Sequence, residues 1–181
     1  VERCVWRERF QMRNLEIFKS AAGGEGVSLV SVIDKGTSPM GARLLRSWLA
    51  MPIMDIKELN SRYDVVQHFL QTRDDLDKVQ EYVGEIGDLE RIISRAATGR
   101  IAPREVMQLG RGLSRMEPIA KLCKGHGVKA LDTLVGGMKN CSELLERISG
   151  TLTAEPAAPV GKGEVIPSGL DAAPDGLRGH A

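Results

Sequence analysis

The most constraining feature of this sequence is a helical spacing of apolar residues that runs almost without a break from residue 38 to residue 149. Apolar side chains recur every three or four positions, which places them along one face of an α-helix. Two helix starts stand out: Ser38 precedes Pro39 at a first helical position, and Asp55 is followed by Glu58 in a capping-box pattern. One-sided helices must bury their apolar faces against one another, so the pattern predicts an all-α, multi-helix bundle.

Glycine and proline indicate where these helices stop. We expect ends, interruptions or new starts at Pro52, Gly84, Gly87, Gly99, Pro103 and Pro118. Residues 124–127 (KGHG) predict a turn, and a single 3-4 rhythm then continues from Leu131 to Ile148.

Composition divides the chain into three parts. Residues 150–181 hold four Pro and six Gly, about 31% of that stretch, and predict a linker-like tail. Residues 28–149 form the predicted helical core. Residues 1–27 are expected to be a linking segment with short extended pieces at 4–6 and 15–18.

Charge and cysteine content exclude several classes of protein. The 25 Lys and Arg against 24 Asp and Glu give a net charge of +1, which excludes a strongly basic protein that holds nucleic acid by charge alone. Three cysteines without a C-x-x-C pair indicate a reduced, cytoplasmic protein, and the short apolar runs predict no membrane span. The chain begins without Met or a signal peptide, from which we expect a fragment.

No catalytic or cofactor constellation is recognisable. Residues 36–43 (GTSPMGAR) carry two glycines at the separation of a phosphate-binding loop, but Ala42 and Arg43 stand where Lys and Ser or Thr are needed. Pro39 also removes an amide, so a helix start is the favoured interpretation. No G-x-S-x-G motif occurs.

The three histidines, His68, His126 and His180, lie far apart in the sequence. None has a Cys, Asp or Glu at a convincing metal-ligand spacing, and His68 falls off the apolar stripe. We therefore predict no metal site and a solvated His68.

Arginines are the remaining candidates for function. Arg104, Arg111 and Arg115 lie near one face of a predicted helix and are candidate DNA contacts. Intramolecular ion pairing is the favoured alternative to DNA contact, because residues 84–115 hold six Arg and four acidic residues, a net charge of only +2.

Four stretches in register resemble the MutS family of DNA mismatch repair proteins. Residues 34–49 (DKGTSPMGARLLRSWL) and 86–91 (IGDLER) resemble two segments of the family's core domain. Residues 13–16 (RNLE) resemble the entry from the connector domain, and residues 163–166 (GEVI) resemble the approach to the lever helix. The resemblance thus covers nearly the whole chain in order.

This resemblance implies a role inside a larger machine. Full-length members are homodimeric, DNA-dependent ATPases that bind mismatched duplex DNA and use ATP and magnesium. The ATPase loop and the mismatch wedge lie in other domains, so this segment is expected to be a structural and force-transmitting module, without catalysis or a cofactor of its own. Its partners would be other domains of the same chain. The alternative is a free-standing helical interaction module that binds a partner helix through the stripes at 56–70 and 131–148.

Overall fold

A computed structural model describes residues 9–21 and 26–153. The helices within these ranges are α1 (Arg9–Asn14), α2 (Leu29–Ile33), α3 (Pro39–Ala50), α4 (Ile56–Gln71), α5 (Arg73–Ile86), α6 (Leu89–Ala97), α7 (Pro103–Ser114), α8 (Met116–Cys123), α9 (Lys129–Gly137) and α10 (Ser142–Thr151). The same ranges contain no β-strand. The predicted all-α, multi-helix fold is confirmed.

The chain divides into two compact units. The first comprises residues 1–84 and 122–137, and the second comprises residues 85–121 and 138–181. The predicted boundaries at 27/28 and 149/150 stay predictions. The predicted extended piece at 4–6 and nearly all of the Pro- and Gly-rich tail lie outside the described residues.

The segment that follows α1 is a turn. Residues 15–18 were expected to be extended, and this prediction is wrong, because α1 leads directly into a reversal of the chain. The backbone N–H of Leu15 donates to the Gln11 carbonyl at 3.0 Å, and Glu16 takes a left-handed φ of 48°. The reversal buries Ile17, which is 2% exposed, and lets its carbonyl accept from the Val30 N–H at 2.9 Å.

The two predicted helix starts in this unit are present. Ser38 Oγ accepts from the Gly41 N–H at 3.1 Å, with Pro39 at the first helical position of α3. Asp55 Oδ1 accepts from the N–H groups of Lys57 and Glu58 at 2.8 and 3.3 Å, which caps α4.

The Glu58 side chain serves a different contact from the one that a capping box predicts. Its carboxylate lies 2.7 Å from the guanidinium of Arg62. That guanidinium in turn lies 3.8 Å from the ring centroid of Trp48, in a cation–π contact that joins α3 to α4.

Most of the predicted helix ends are correct, with Gly84 as an exception. Gly87 directly follows α5 and Gly99 follows Thr98, the C-cap residue of α6, and both take positive φ values, 74° and 67°, that suit a helix stop. Gly84 was expected to interrupt α5, but the helix continues through it to Ile86. A single glycine costs a helix only about 1 kcal/mol, and an amphipathic helix tolerates that cost.

The single rhythm predicted from Leu131 to Ile148 is also wrong, because two helices cover it. α9 ends at Gly137, and α10 begins at Ser142. The Asn140 side chain accepts from the Ser142 N–H at 2.8 Å, a local turn that competes with helix.

The second unit is built around α7, which packs against both α6 and α10. Two glycines make these contacts close. A Cβ on Gly110 would lie 3.2 Å from Ile148 Cγ2 in α10, and a Cβ on Gly112 would lie 2.5 Å from the Ile86 carbonyl oxygen. Both glycines are buried, as are Ile86, Ile92 and Ile148. This is a close-packed seam in which the α7 backbone itself contacts its neighbours.

The apolar faces of α3 and α4 remain largely exposed. Periodicity predicted that each helix buries its apolar stripe against its neighbours. Six residues of the two stripes are instead between 41% and 71% exposed: Leu44, Trp48, Ile56, Tyr63, Val66 and Leu70. α4 does pack against α9, but that contact leaves most of the α4 stripe exposed, with only Leu59 half-buried. The correction has a physical basis, because periodicity shows that a face is apolar and carries no information on what covers it.

None of the described helices combines the length and apolarity that crossing a bilayer requires.

Candidate functional site

The candidate DNA-contacting arginines lie on the second unit. Arg104 is in the first turn of α7, Arg111 is near its end, and Arg115 is its C-cap residue. Arg104 and Arg111 are exposed, and Arg115 is half-buried. The helical placement that the sequence predicted is correct, while DNA contact by these side chains stays a prediction.

Ion pairs neutralise part of this arginine set. The Arg115 guanidinium is bonded to the Glu85 carboxylate at the end of α5. The Arg95 guanidinium lies 2.7 Å from Glu105, which links α6 to α7. Both pairs join residues distant in sequence, so they brace the helices of the unit. The predicted ion-pairing alternative is therefore confirmed for these two arginines.

Glu105 performs two tasks at the start of α7. One carboxylate oxygen binds Arg95, and the other accepts from the backbone N–H of Ala102, the N-cap residue, at 3.0 Å. A carboxylate in the first turn also lies at the positive end of the helix dipole. Glu105 thus fixes both the start of α7 and its attachment to α6.

The glycine pair at residues 36–43 is a helix cap. Ser38 Oγ already accepts from the Gly41 N–H, and a Cβ on Gly41 would approach that oxygen to 3.1 Å. The amide that a phosphate would need is thereby occupied, and Arg43 replaces the magnesium-binding hydroxyl. These residues do not fit ATP, and the predicted helix start is confirmed.

The structure brings together two histidines that no sequence spacing connects. His68 in α4 and His126 in the loop after α8 have ring centroids 4.7 Å apart. Asp75 in the first turn of α5 completes a cluster in which one nitrogen or oxygen atom from each residue lies within 4.8 Å of the others. All three residues belong to the first unit.

Sequence reasoning missed this cluster for a definable reason. His126 lies 58 residues after His68, so no local spacing connects them. The glycines on either side of His126 predicted a turn at this position. They did not indicate that the turn would lie against His68. His180 lies outside the described residues.

The cysteine beside this cluster is chemically shielded. Cys123 is 4% exposed, and burial, with a smaller effect from the Asp75 charge, raises the pKa of its thiol. A cysteine buried in this way packs as a small hydrophobic side chain.

Comparisons with known proteins agree on one family. The family model for MutS domain III matches residues 12–172. The chain belongs to the MutS family. It is 41% identical over 177 residues to the DNA mismatch repair protein MutS of Phocaeicola vulgatus, which covers 98% of the chain and 20% of that relative.

Two further MutS relatives give the same result. The DNA mismatch repair protein MutS of Christiangramia forsetii is 39% identical over 180 residues, covering 99% of the chain and 21% of the relative. That of Bacteroides fragilis is 39% identical over 177 residues, covering 98% and 20%. The chain therefore spans about a fifth of the length of the curated MutS relatives it matches, and the family resemblance predicted from four sequence segments is confirmed.

Proposed function

We propose that this chain acts as domain III of a MutS-type DNA mismatch repair protein, as a packed helical module that transmits conformational change between other parts of the molecule. The observation that carries the proposal is the family match, which covers residues 12–172 and therefore nearly all of the 181-residue chain. A free-standing interaction module is not favoured, because the same segment recurs inside relatives about five times longer.

The packing of the second unit supports a mechanical role. α7 contacts α6 and α10 through Gly110 and Gly112 at distances that leave no room for a methyl group without movement. Close-packed helices of this kind shift between discrete arrangements instead of deforming smoothly, which is what the transmission of a conformational change requires. The Arg95–Glu105 and Arg115–Glu85 pairs add polar links between the same helices.

The exposed apolar stripes of α3 and α4 support a role within a larger assembly. Ile56, Tyr63 and Val66 are 71%, 62% and 55% exposed, and such a surface is suited to contact with another protein surface. We propose that other domains of a full-length MutS chain cover it. Mismatched DNA, ATP with magnesium, a homodimeric partner and a cytoplasmic location belong to that full-length protein in this proposal.

The 181-residue chain by itself tests the proposal. We expect it to fold as a helical protein, to hydrolyse no ATP with magnesium present, and to bind mismatched and matched duplexes equally. The MutS protein of Bacteroides fragilis is the positive control in both assays. Measurable ATP turnover by the pure chain, or a clear preference for the mismatched duplex, would contradict the proposal that ATP hydrolysis and mismatch recognition belong to other domains.

DNA contact by the exposed arginines is tested in the same preparation. Electrostatic binding to duplex DNA weakens steeply as salt rises, in proportion to the number of phosphates contacted. We expect the chain to bind duplex DNA weakly even at low salt, because Arg95 and Arg115 are engaged in ion pairs. Tight binding at low salt that is lost in Arg104→Gln would instead assign DNA contact to the start of α7.

A further inference from the structure

A mixed cluster of two imidazoles and one carboxylate lies in the first unit. We propose that His68, Asp75 and His126 form a binding site for a divalent transition metal ion, with Zn²⁺ as the ion that these ligands suit. The three donor atoms lie within 4.8 Å of one another, although the residues come from three separate segments of the chain.

The donor set has the chemistry of a zinc site. Imidazole nitrogen and carboxylate oxygen bind Zn²⁺ at about 2.0–2.2 Å, and tetrahedral geometry then places ligand atoms roughly 3.4 Å apart. The donors therefore need to approach one another by at most about 1.4 Å. Rotation of side chains provides this movement, because His126 is exposed while His68 and Asp75 are only half-buried. A three-ligand site leaves the fourth position to water.

The hydrogen bond of His126 to the backbone leaves its other ring nitrogen available to a metal ion. Its Nε2 lies 2.7 Å from the Leu122 carbonyl oxygen, which can only accept, so Nε2 carries the hydrogen. The lone pair of the neutral ring is then on Nδ1. A second ring nitrogen bonded to a backbone carbonyl is the usual outer-shell arrangement of metal-bound histidines.

The loop that carries His126 has a defined backbone conformation and one anchoring hydrogen bond. Gly125 and Gly127 take φ values of 85° and 73°, which other residues rarely adopt. The Gly125 N–H donates to Asp132 Oδ1 in α9 at 3.2 Å. The imidazole is thus presented by a defined turn.

The other two ligands come from one corner between helices. His68 lies in the last turn of α4 and Asp75 in the first turn of α5, with Thr72 between them. Thr72 Oγ1 donates to the His68 carbonyl at 3.0 Å and lies 3.5 Å from His68 Nε2, which orders this corner. A bound ion would tie the corner to a loop 51 residues further along the chain, and so stabilise the first unit.

The test is a zinc titration of the 181-residue chain after removal of metal with EDTA, read against a chromophoric competing chelator. We expect one equivalent of Zn²⁺ to bind. Loss of an outer-shell partner alone costs about 10–100-fold in metal affinity, so His126→Asn and Asp75→Asn should each weaken binding at least about tenfold. His180→Asn removes the third histidine of the chain, which is not one of the three proposed ligands, and should leave the affinity unchanged.

Two measurements keep the result decisive if a variant is unstable. Circular dichroism of each metal-free variant establishes that its helix content matches the parent, and Co²⁺ absorption of the unaltered chain reports the coordination directly. An intense visible spectrum typical of four-coordinate nitrogen and oxygen ligation is expected. The proposal is overturned if the unaltered chain binds no stoichiometric Zn²⁺, or if His126→Asn and Asp75→Asn bind it as tightly as His180→Asn does.

Discussion

Replacement of Gly112 by alanine tests the close packing of α7 at a single atom. The added Cβ would lie 2.5 Å from the Ile86 carbonyl oxygen and 2.9 Å from Leu89 Cδ2. Real Cβ atoms do not approach other heavy atoms to 2.5 Å, and the first of these neighbours is backbone. The α7 helix must therefore move away from the end of α5 and the start of α6.

The size of the effect follows from two opposed contributions. Overpacking of a well-packed core costs typically about 1–3 kcal/mol, and a clash with backbone belongs at the upper end. Exchange of glycine for alanine inside a helix returns up to about 1 kcal/mol. We therefore expect Gly112→Ala to lower the free energy of unfolding by about 2 kcal/mol, or about 4–8 °C in melting temperature for a chain of this size.

Gly84→Ala is the matched control, because Gly84 lies inside α5 with no atom within 4 Å of its would-be Cβ. It should gain about 0.5–1 kcal/mol from helix propensity alone. Gly150→Ala in the last turn of α10 has equally open surroundings and belongs to the same unit as Gly112, so it should be neutral or slightly stabilising. Urea unfolding followed by circular dichroism measures all three. The packing argument is refuted if Gly112→Ala is as stable as Gly84→Ala.

Three further predictions concern caps, ion pairs and thiol chemistry. Glu105→Ala should cost more unfolding free energy in urea than Arg95→Ala, about 1–2 against at most about 1 kcal/mol, because it also removes a cap; equal losses would contradict this. Ser38→Ala should cost about 0.5–2 kcal/mol and Ser38→Gly only a few tenths, and a reversed order in the same assay would contradict the observed cap. Because burial raises the pKa of the Cys123 thiol, mass spectrometry should show slower alkylation of Cys123 than of Cys141 at neutral pH. The raised pKa also contributes to the free energy of unfolding at every pH below the pKa of this thiol in the unfolded chain. That contribution is lost as the pH rises through the pKa of the thiol in the folded chain. Faster labelling of Cys123 in the folded chain would contradict its burial.

Local chemistry made much of the fold predictable. Ser38, Asp55, Gly87 and Gly99 mark helix starts and stops through side-chain caps and left-handed backbone, which depend only on neighbouring residues. The all-α class followed from the same information. The family resemblance was recognisable because its motifs lie in continuous stretches of sequence.

The predictions that failed involve competing interactions, tertiary or local, that apolar periodicity does not report. Gly84 and the Leu131–Ile148 rhythm were misjudged because tertiary packing and a local Asn140 turn compete with intrinsic propensity. The approach of His126 to His68 depends on where the loop of residues 124–127 lies within the first unit, which no local pattern reports. The close packing of α7 through Gly110 and Gly112 was missed because glycine has no side chain and so does not contribute to an apolar stripe.

A domain exchange tests the central claim most directly. The matched segment of Bacteroides fragilis MutS is replaced by residues 12–172 of this chain, and ATP turnover is measured with matched and mismatched duplexes. A control protein carries a Gly/Ser linker of equal length in place of the segment. If the chain is a transmitting domain III, the exchange protein keeps the parent's difference in turnover between the two duplexes, and the linker protein loses it. A folded exchange protein that binds DNA and hydrolyses ATP, yet shows no such difference, would contradict the account.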